Sequence, residues 1–101
     1  MSKPFTVIAH LVAAEGHVDE TKAFLLDLID KTRAEEGCTD YHLHQDNENP
    51  AEFTFYETWV DRAAWDRHME MPYLAEFIAR KDELFAVEPH IRLMTMVSEK
   101  G

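Results

Sequence analysis

The residues of this chain that could do chemistry crowd into "YETWVDRAAWDRHMEMPYLAEF", residues 56–77. Along one helix Trp65, His68, Met69 and Pro72 stand at i, i+3, i+4 and i+7, a single stripe turned toward the surface the helix packs on. Trp65 and Met69 need no explanation beyond a core. His68 does, because it is the one titratable group in the stripe. An imidazole in an apolar space is either a core histidine with its hydrogen bonds met or a general base working near neutral pH. The break at "EMPY" bears on the choice. A helix interrupted at Pro72 can stand off its sheet and leave room there, and small-molecule sites are apolar cavities with few polar groups.

Three other groups carry chemical potential. Glu57 shares a strand face with Phe55 and Trp59, and a buried carboxylate is paired or takes up a proton. It reads as an acid or base, or as a structural partner for a donor. His42 and His44, with Asp40, lie on one face of a strand and begin a metal site, or are plain surface histidines. His10 or His90 would supply a third ligand, but no spacing demands it, and no metal is expected. Cys38 is the single cysteine. It has nothing beside it to lower its pKa and reads as a small apolar residue at a strand start.

The elements that must position these groups follow from periodicity. "FTVIAHLVA" (5–13) reads as a strand, with Phe5, Val7, Ala9 and Leu11 on one face and Thr6, Ile8, His10 and Val12 on the other. "EGHVDETKAFLLDLIDKTRAEEG" (15–37) is a helix with the stripe Val18, Thr21, Leu25, Leu28, Ile29 and Thr32. "CTDYHLHQD" (38–46) and "EFTFYETWV" (52–60) are strands of a hairpin joined by "NENP". Asp61 caps "RAAWDRHMEM", and Pro72 opens "PYLAEFIARKDELF", with Leu74, Phe77, Ile78, Leu84 and Phe85 as its stripe. "IRLMTMV" (91–97) is a last strand. The order β-α-β-β-α-β is the ferredoxin-like plan, α+β, with a four-stranded antiparallel sheet and the helices on one face. The strands read as apolar on both sides. A homodimer through the uncovered sheet faces is therefore expected.

The chain has 101 residues, which fits a single domain over 1–101. Its net charge is −10, from 10 Lys+Arg against 20 Asp+Glu. Such a surface repels polyanions, so neither nucleic acid nor an anionic membrane is an expected partner. One cysteine fits a reducing compartment, and "MSKPFTVIAHLVAAEG" is too interrupted for a signal or spanning segment. A cytoplasmic protein is expected.

Four segments carry a resemblance to a known family: "VIAHLVAAEGHVDE", "EEGCTDYHLHQD", "FTFYETWVDRAAWDRHMEMPYLAEF" and the short last strand. In this order they resemble the antibiotic biosynthesis monooxygenase (ABM) domain family, which includes quinol monooxygenases. The resemblance implies a dimeric α/β barrel and a pocket in each protomer between sheet and helices. It also implies oxygenation of a small quinol or hydroxyaromatic by O₂ with no cofactor. His68 then stands where the base is wanted, with Tyr73 as its catalytic partner. Tyr41, Trp65, Met69 and Glu57 would hold the ring. A haem-degrading branch uses an Asn, a Trp and a His at positions that read Ala9, His68 and Ile78 here, so haem degradation is not implied. A branch acting on a phosphorylated metabolite would need basic residues, of which only Arg92 lies off the polar helix faces. The alternatives are a module that binds a small aromatic without turnover, or an isomerase or degrading enzyme for a small metabolite.

Overall fold

The computed structural model describes residues 4–99. Seven elements run β1 (Phe5–Val12), α1 (Val18–Arg33), β2 (Cys38–Gln45), β3 (Glu52–Trp59), α2 (Arg62–His68), α3 (Pro72–Leu84) and β4 (His90–Thr95). The strands form one antiparallel sheet in the order β2-β3-β1-β4. The expected ferredoxin-like order holds, with its second helix split in two.

Local chemistry explains most boundaries. α1 begins after Gly16, whose φ of +81° turns the chain, and carries Asp19 and Glu20 in its first turn, where the helix dipole favours them. It is shorter than the 15–37 that periodicity suggests, because Glu35 N–H already bonds back to Thr32 O and Gly37 reverses the chain at φ +93°. The β2–β3 hairpin closes on Asp46, whose Oδ2 accepts from the backbone of Glu48 and Asn49 at 2.9 and 2.8 Å. α2 is capped by Asp61, whose Oδ1 accepts from Ala64 N–H at 2.9 Å. Pro72 then starts α3. β4 ends at Thr95 rather than 97, because Thr95 pairs with Phe5, the first residue of β1.

The core lies between the sheet and α1 and α3. Val7, Ala9 and Leu11 of β1 and Phe53, Phe55 and Trp59 of β3 meet Leu25, Leu28 and Leu84 there. The Thr21 hydroxyl bonds Leu84 O at 3.1 Å and pins the end of α3 to α1. Two expected stripe members stay outside. Pro72 is exposed because α3 turns away where α2 stops, and Ile78 is 50% exposed because Leu74, Phe77 and Leu84 already seal the narrow α3 face.

The other sheet face differs from the apolar one expected. Across it run the rows Asp40–Thr58–Thr6–Met94, His42–Tyr56–Ile8–Arg92 and His44–Thr54–His10–His90. This is a mixed surface, rich in threonine and histidine. Exposed apolar residues on the sheet are found at its β4 edge and just beyond it: Ile91, Leu93, Met94 and Val97. Among the described residues no helix is long and apolar enough to cross a membrane.

Gly37 is the joint on which α2 sits. A Cβ there would stand 2.6 Å from Ala64 Cβ and 3.2 Å from Val60 Cγ2, at a φ that side chains rarely adopt. Gly37→Ala is expected to lower stability by about 2–4 kcal/mol, from strain plus overpacking. Urea unfolding with an unchanged slope and a lower midpoint would show it.

Candidate functional site

The inner row of β3 reads Phe53, Phe55, Glu57 and Trp59. Glu57 is only 4% exposed. Trp59 Nε1–H donates to its Oε1 at 3.1 Å, and among the described residues Oε2 has no protein partner. Burial pushes the carboxyl up to about 7. The Trp59 bond opposes this, and the nearby Glu35 charge adds to it. Opposite Glu57 on β2 is Tyr41, 3% exposed. It faces inward because the β2–β3 register shifts between Cys38 and Asp40. Simple alternation from Cys38 would send Tyr41 outward, and the bulge turns it in.

α2 brings His68 onto this row. The ring is 2% exposed, 4.8 Å from the Trp59 ring and 5.7 Å edge-on from Tyr41. Its Nδ1 lies 2.7 Å from Glu35 Oε2, with both side chains almost sealed from solvent. The hydroxyl of Tyr73, from the first turn of α3, donates to that same oxygen and stands 3.3 Å from Lys31 O. An oxygen that accepts from two donors is a carboxylate's, so Nδ1 carries the imidazole hydrogen and Nε2 keeps the lone pair. Among the described residues Nε2 has no hydrogen-bond partner. Burial lowers the His68 pKa, and Glu35 opposes this through its hydrogen bond and charge. The ring is therefore neutral at neutral pH with its basic nitrogen free. Burial and Glu35 both raise the Tyr73 phenol, so it remains a donor.

His68, Glu57 and Tyr41 line a cavity of about 40 Å³ between sheet and helices. Its other walls are apolar: Val7, Ala9 and Leu11 from β1, Trp65, Met69, Leu74 and Phe77 from α2 and α3 and the turn between them, with Leu28, Pro89 and Ile91. That space admits a few waters, against roughly 10–15 Å³ for one, and a ring enters only if the walls move. The α2–α3 corner on one side of the cavity is tied to Glu35 through His68 and Tyr73.

Of the residues singled out from sequence, His68, Glu57, Tyr41, Trp65 and Met69 meet at this cavity. Tyr73 stands behind it, on Glu35. Arg92 is not brought there: it pairs with Ile8 on the opposite face of the sheet and is exposed. His42 is held by Arg33 Nη2 at 3.1 Å and lies 3.5 Å from Asp40. Among the described residues no three His, Cys, Asp or Glu side chains are placed to hold a metal ion. Burial pushes the Cys38 thiol up to about 11, away from nucleophilic use. Glu35 was missed. Its signal was an acidic residue past the C-terminal end of α1, where the helix dipole disfavours it.

Residues 4–80 match the family described as antibiotic biosynthesis monooxygenase. The chain is similar to a Pseudomonas aeruginosa protein of known structure, at 34% identity and a TM-score of 0.91, covering 97% of this chain and 98% of that one. It is similar to the crystal structure of an antibiotic biosynthesis monooxygenase, at 29% identity and a TM-score of 0.86, covering 93% and 99%. It is also 30% identical over 90 residues to an uncharacterized Synechocystis protein, covering 89% of this chain but spanning 61% of the relative's length.

Glu57 makes stability pH-dependent. Its carboxyl ionises near 4.5 when exposed and near 7 when folded. The folded state therefore holds the extra proton between those values, and stability falls as pH rises through that window, by about 3 kcal/mol in all. Thermal melts of wild type and Glu57→Gln from pH 4 to 8 should show the variant gaining on the wild type as pH rises. Parallel curves would mean that Glu57 does not titrate this way.

Proposed function

The chain belongs to the antibiotic biosynthesis monooxygenase family, and from that premise we propose that it oxidises a small hydroxyaromatic with O₂, with His68 as general base. The observation that carries the reading is the free Nε2 of a neutral His68, locked by Glu35 and facing an apolar cavity. An electron-rich hydroxyaromatic, once ionised, itself reduces O₂, so the protein has to supply a base, a dry pocket and a fixed orientation.

In this scheme His68 Nε2 takes the hydroxyl proton. The phenolate gives one electron to O₂, and the resulting radical pair closes a C–O bond at a ring carbon bearing hydrogen. The imidazolium protonates the peroxide. Nε2 then removes the proton from that carbon, the O–O bond breaks, a carbonyl forms, and the departing oxygen takes the proton from His68 as water. One hydroxyaromatic and one O₂ give one quinone and one water, with His68 unchanged. Glu35 and Tyr73 do not touch the substrate. They hold the tautomer and stabilise the imidazolium that forms twice. Trp65 and Met69 wall the ring, and Tyr41 stays protonated because burial raises its phenol.

In this reading the protein is a homodimer in the reducing cytoplasm, a compartment that suits a chain with one cysteine. The uncovered sheet face and the apolar residues of β4 are the surfaces a partner copy would cover.

Oxygen uptake over a panel of hydroxyaromatics tests the reading. His68→Ala should slow the best substrate by about 10²–10⁴-fold, and an equally fast variant would remove His68 from the role. Glu35→Leu should cut kcat more than it raises KM. The rate should fall as acidity protonates His68 below the ordinary histidine range, because the proton occupies the basic nitrogen. Tight binding without oxygen uptake would make the protein a binding module instead. Sizing at micromolar concentration should give a dimer; a monomer would sink the assembly.

A further inference from the structure

Glu57 is the buried titratable group that the scheme above leaves idle, and its position constrains the substrate. The strand register orders the cavity along its length. Tyr41, Glu57 and Val7 pair across β2, β3 and β1 at one end, and Phe55 and Ala9 pair in the middle, with Ile91 beyond them on β4. Leu11 and Pro89 close the other end. His68 belongs to the first end, because its ring packs on Trp59 and Tyr41, the two aromatics that also contact or pair with Glu57. All three polar side chains that can face a ligand oxygen thus stand at one end. The walls beyond, Ile91 in the middle row and Leu11, Phe77 and Pro89, offer no polar side chain.

The two faces of the Glu57 carboxyl are distinguished. Trp59 is a donor only, so Oε1, which it holds, is the accepting oxygen. Oε2 is left for a ligand, and the carboxyl, pushed up to about 7, still carries much of its proton at neutral pH. A group able to donate thus lines the same end of the cavity as His68.

We propose that the pocket selects hydroxyaromatics with oxygens on adjacent ring carbons, His68 taking one oxygen and Glu57 the other. This rests on the reading of the site as an aromatic oxidation pocket. A ring with oxygens at opposite positions leaves one of them against the apolar end without a partner, and a buried polar group without a partner is penalised. A ring with one oxygen leaves Oε2 of Glu57 unmet.

The probes are 1,2-dihydroxybenzene, 1,4-dihydroxybenzene and phenol. They are titrated calorimetrically into the full chain without oxygen, then followed for oxygen uptake in air. The wild type should bind the 1,2-isomer about 10- to 100-fold tighter than the other two. Glu57→Leu should bring all three within about threefold of one another by weakening the 1,2-isomer. Glu57→Gln, which keeps both an acceptor and a donor, should retain most of the preference and serves if the leucine variant does not fold. Equal affinities in the wild type, or a preference that survives in a folded Glu57→Leu, overturn the proposal even if oxygen is consumed. A Glu57-dependent 1,2-preference without oxygen uptake keeps the proposal and removes the oxidation. Failure of all three probes to bind overturns both.

Discussion

One carboxylate oxygen holds the site together. Glu35 Oε2 accepts from His68 Nδ1 and from the Tyr73 hydroxyl, and so joins the end of α1 to α2 and to the first turn of α3. Glu35 lies 33 residues from His68 and 38 from Tyr73 in the chain, and Tyr73 adds a second tie to α1 through Lys31 O at 3.3 Å. Burying that charge is costly by itself, and the two donors are what offset it. The bond also decides the chemistry. It fixes which imidazole nitrogen is protonated, leaves the other free, and keeps a ring that burial alone would leave unoriented pointing at the cavity. Gly37 makes the bond geometrically possible by letting the chain reverse two residues after Glu35, with α2 packed against it.

The sheet answers with a second carboxyl of opposite character. Glu35 has two donors; among the described residues Glu57 is bonded by the Trp59 indole alone, and burial pushes its carboxyl up to about 7. Two carboxyls with different partners give one pocket a fixed base and an adjacent acid, a division of labour set by environment rather than by residue type. Their adjacency comes from the pairing of Tyr41 with Glu57, which in turn depends on the bulge between Cys38 and Asp40. Without that extra residue Tyr41 would join the outer rows of threonine and histidine, and the cavity would lose a wall.

Closure of the pocket follows from the same arrangement. Met69, between α2 and α3, and Phe77, on α3, are among the walls that close down the small cavity. Backbone bonds from Glu70 N–H to Arg67 O and from Met71 N–H to His68 O carry the chain through the α2–α3 corner, and Pro72 starts a new helix beyond it.

Much of this was legible in the chain. Apolar periodicities of two and of 3.6 gave the strands, the helices and their order, because those patterns record which side of each element faces a core. The Asp61 cap, the Pro72 break and the singular position of His68 in its stripe were local facts and survived folding. Glu35 and the bulge that sets Tyr41 opposite Glu57 were not legible, although Tyr41 itself was singled out. Thirty-three residues separate Glu35 from His68, and no local pattern states a hydrogen bond over that distance. A one-residue bulge leaves the composition of a strand unchanged while reversing its faces. Likewise, alternation named the residues of the outer sheet face, but only the register laid them side by side and showed threonine and histidine among the apolar groups. The sequence by itself determined the elements and the candidate groups, since these depend on neighbours within a turn or a strand. The tertiary structure decided which imidazole nitrogen is held by a partner, which carboxyl burial pushes toward its protonated form and where the pocket is polar, since these depend on burial and on partners that only packing brings together.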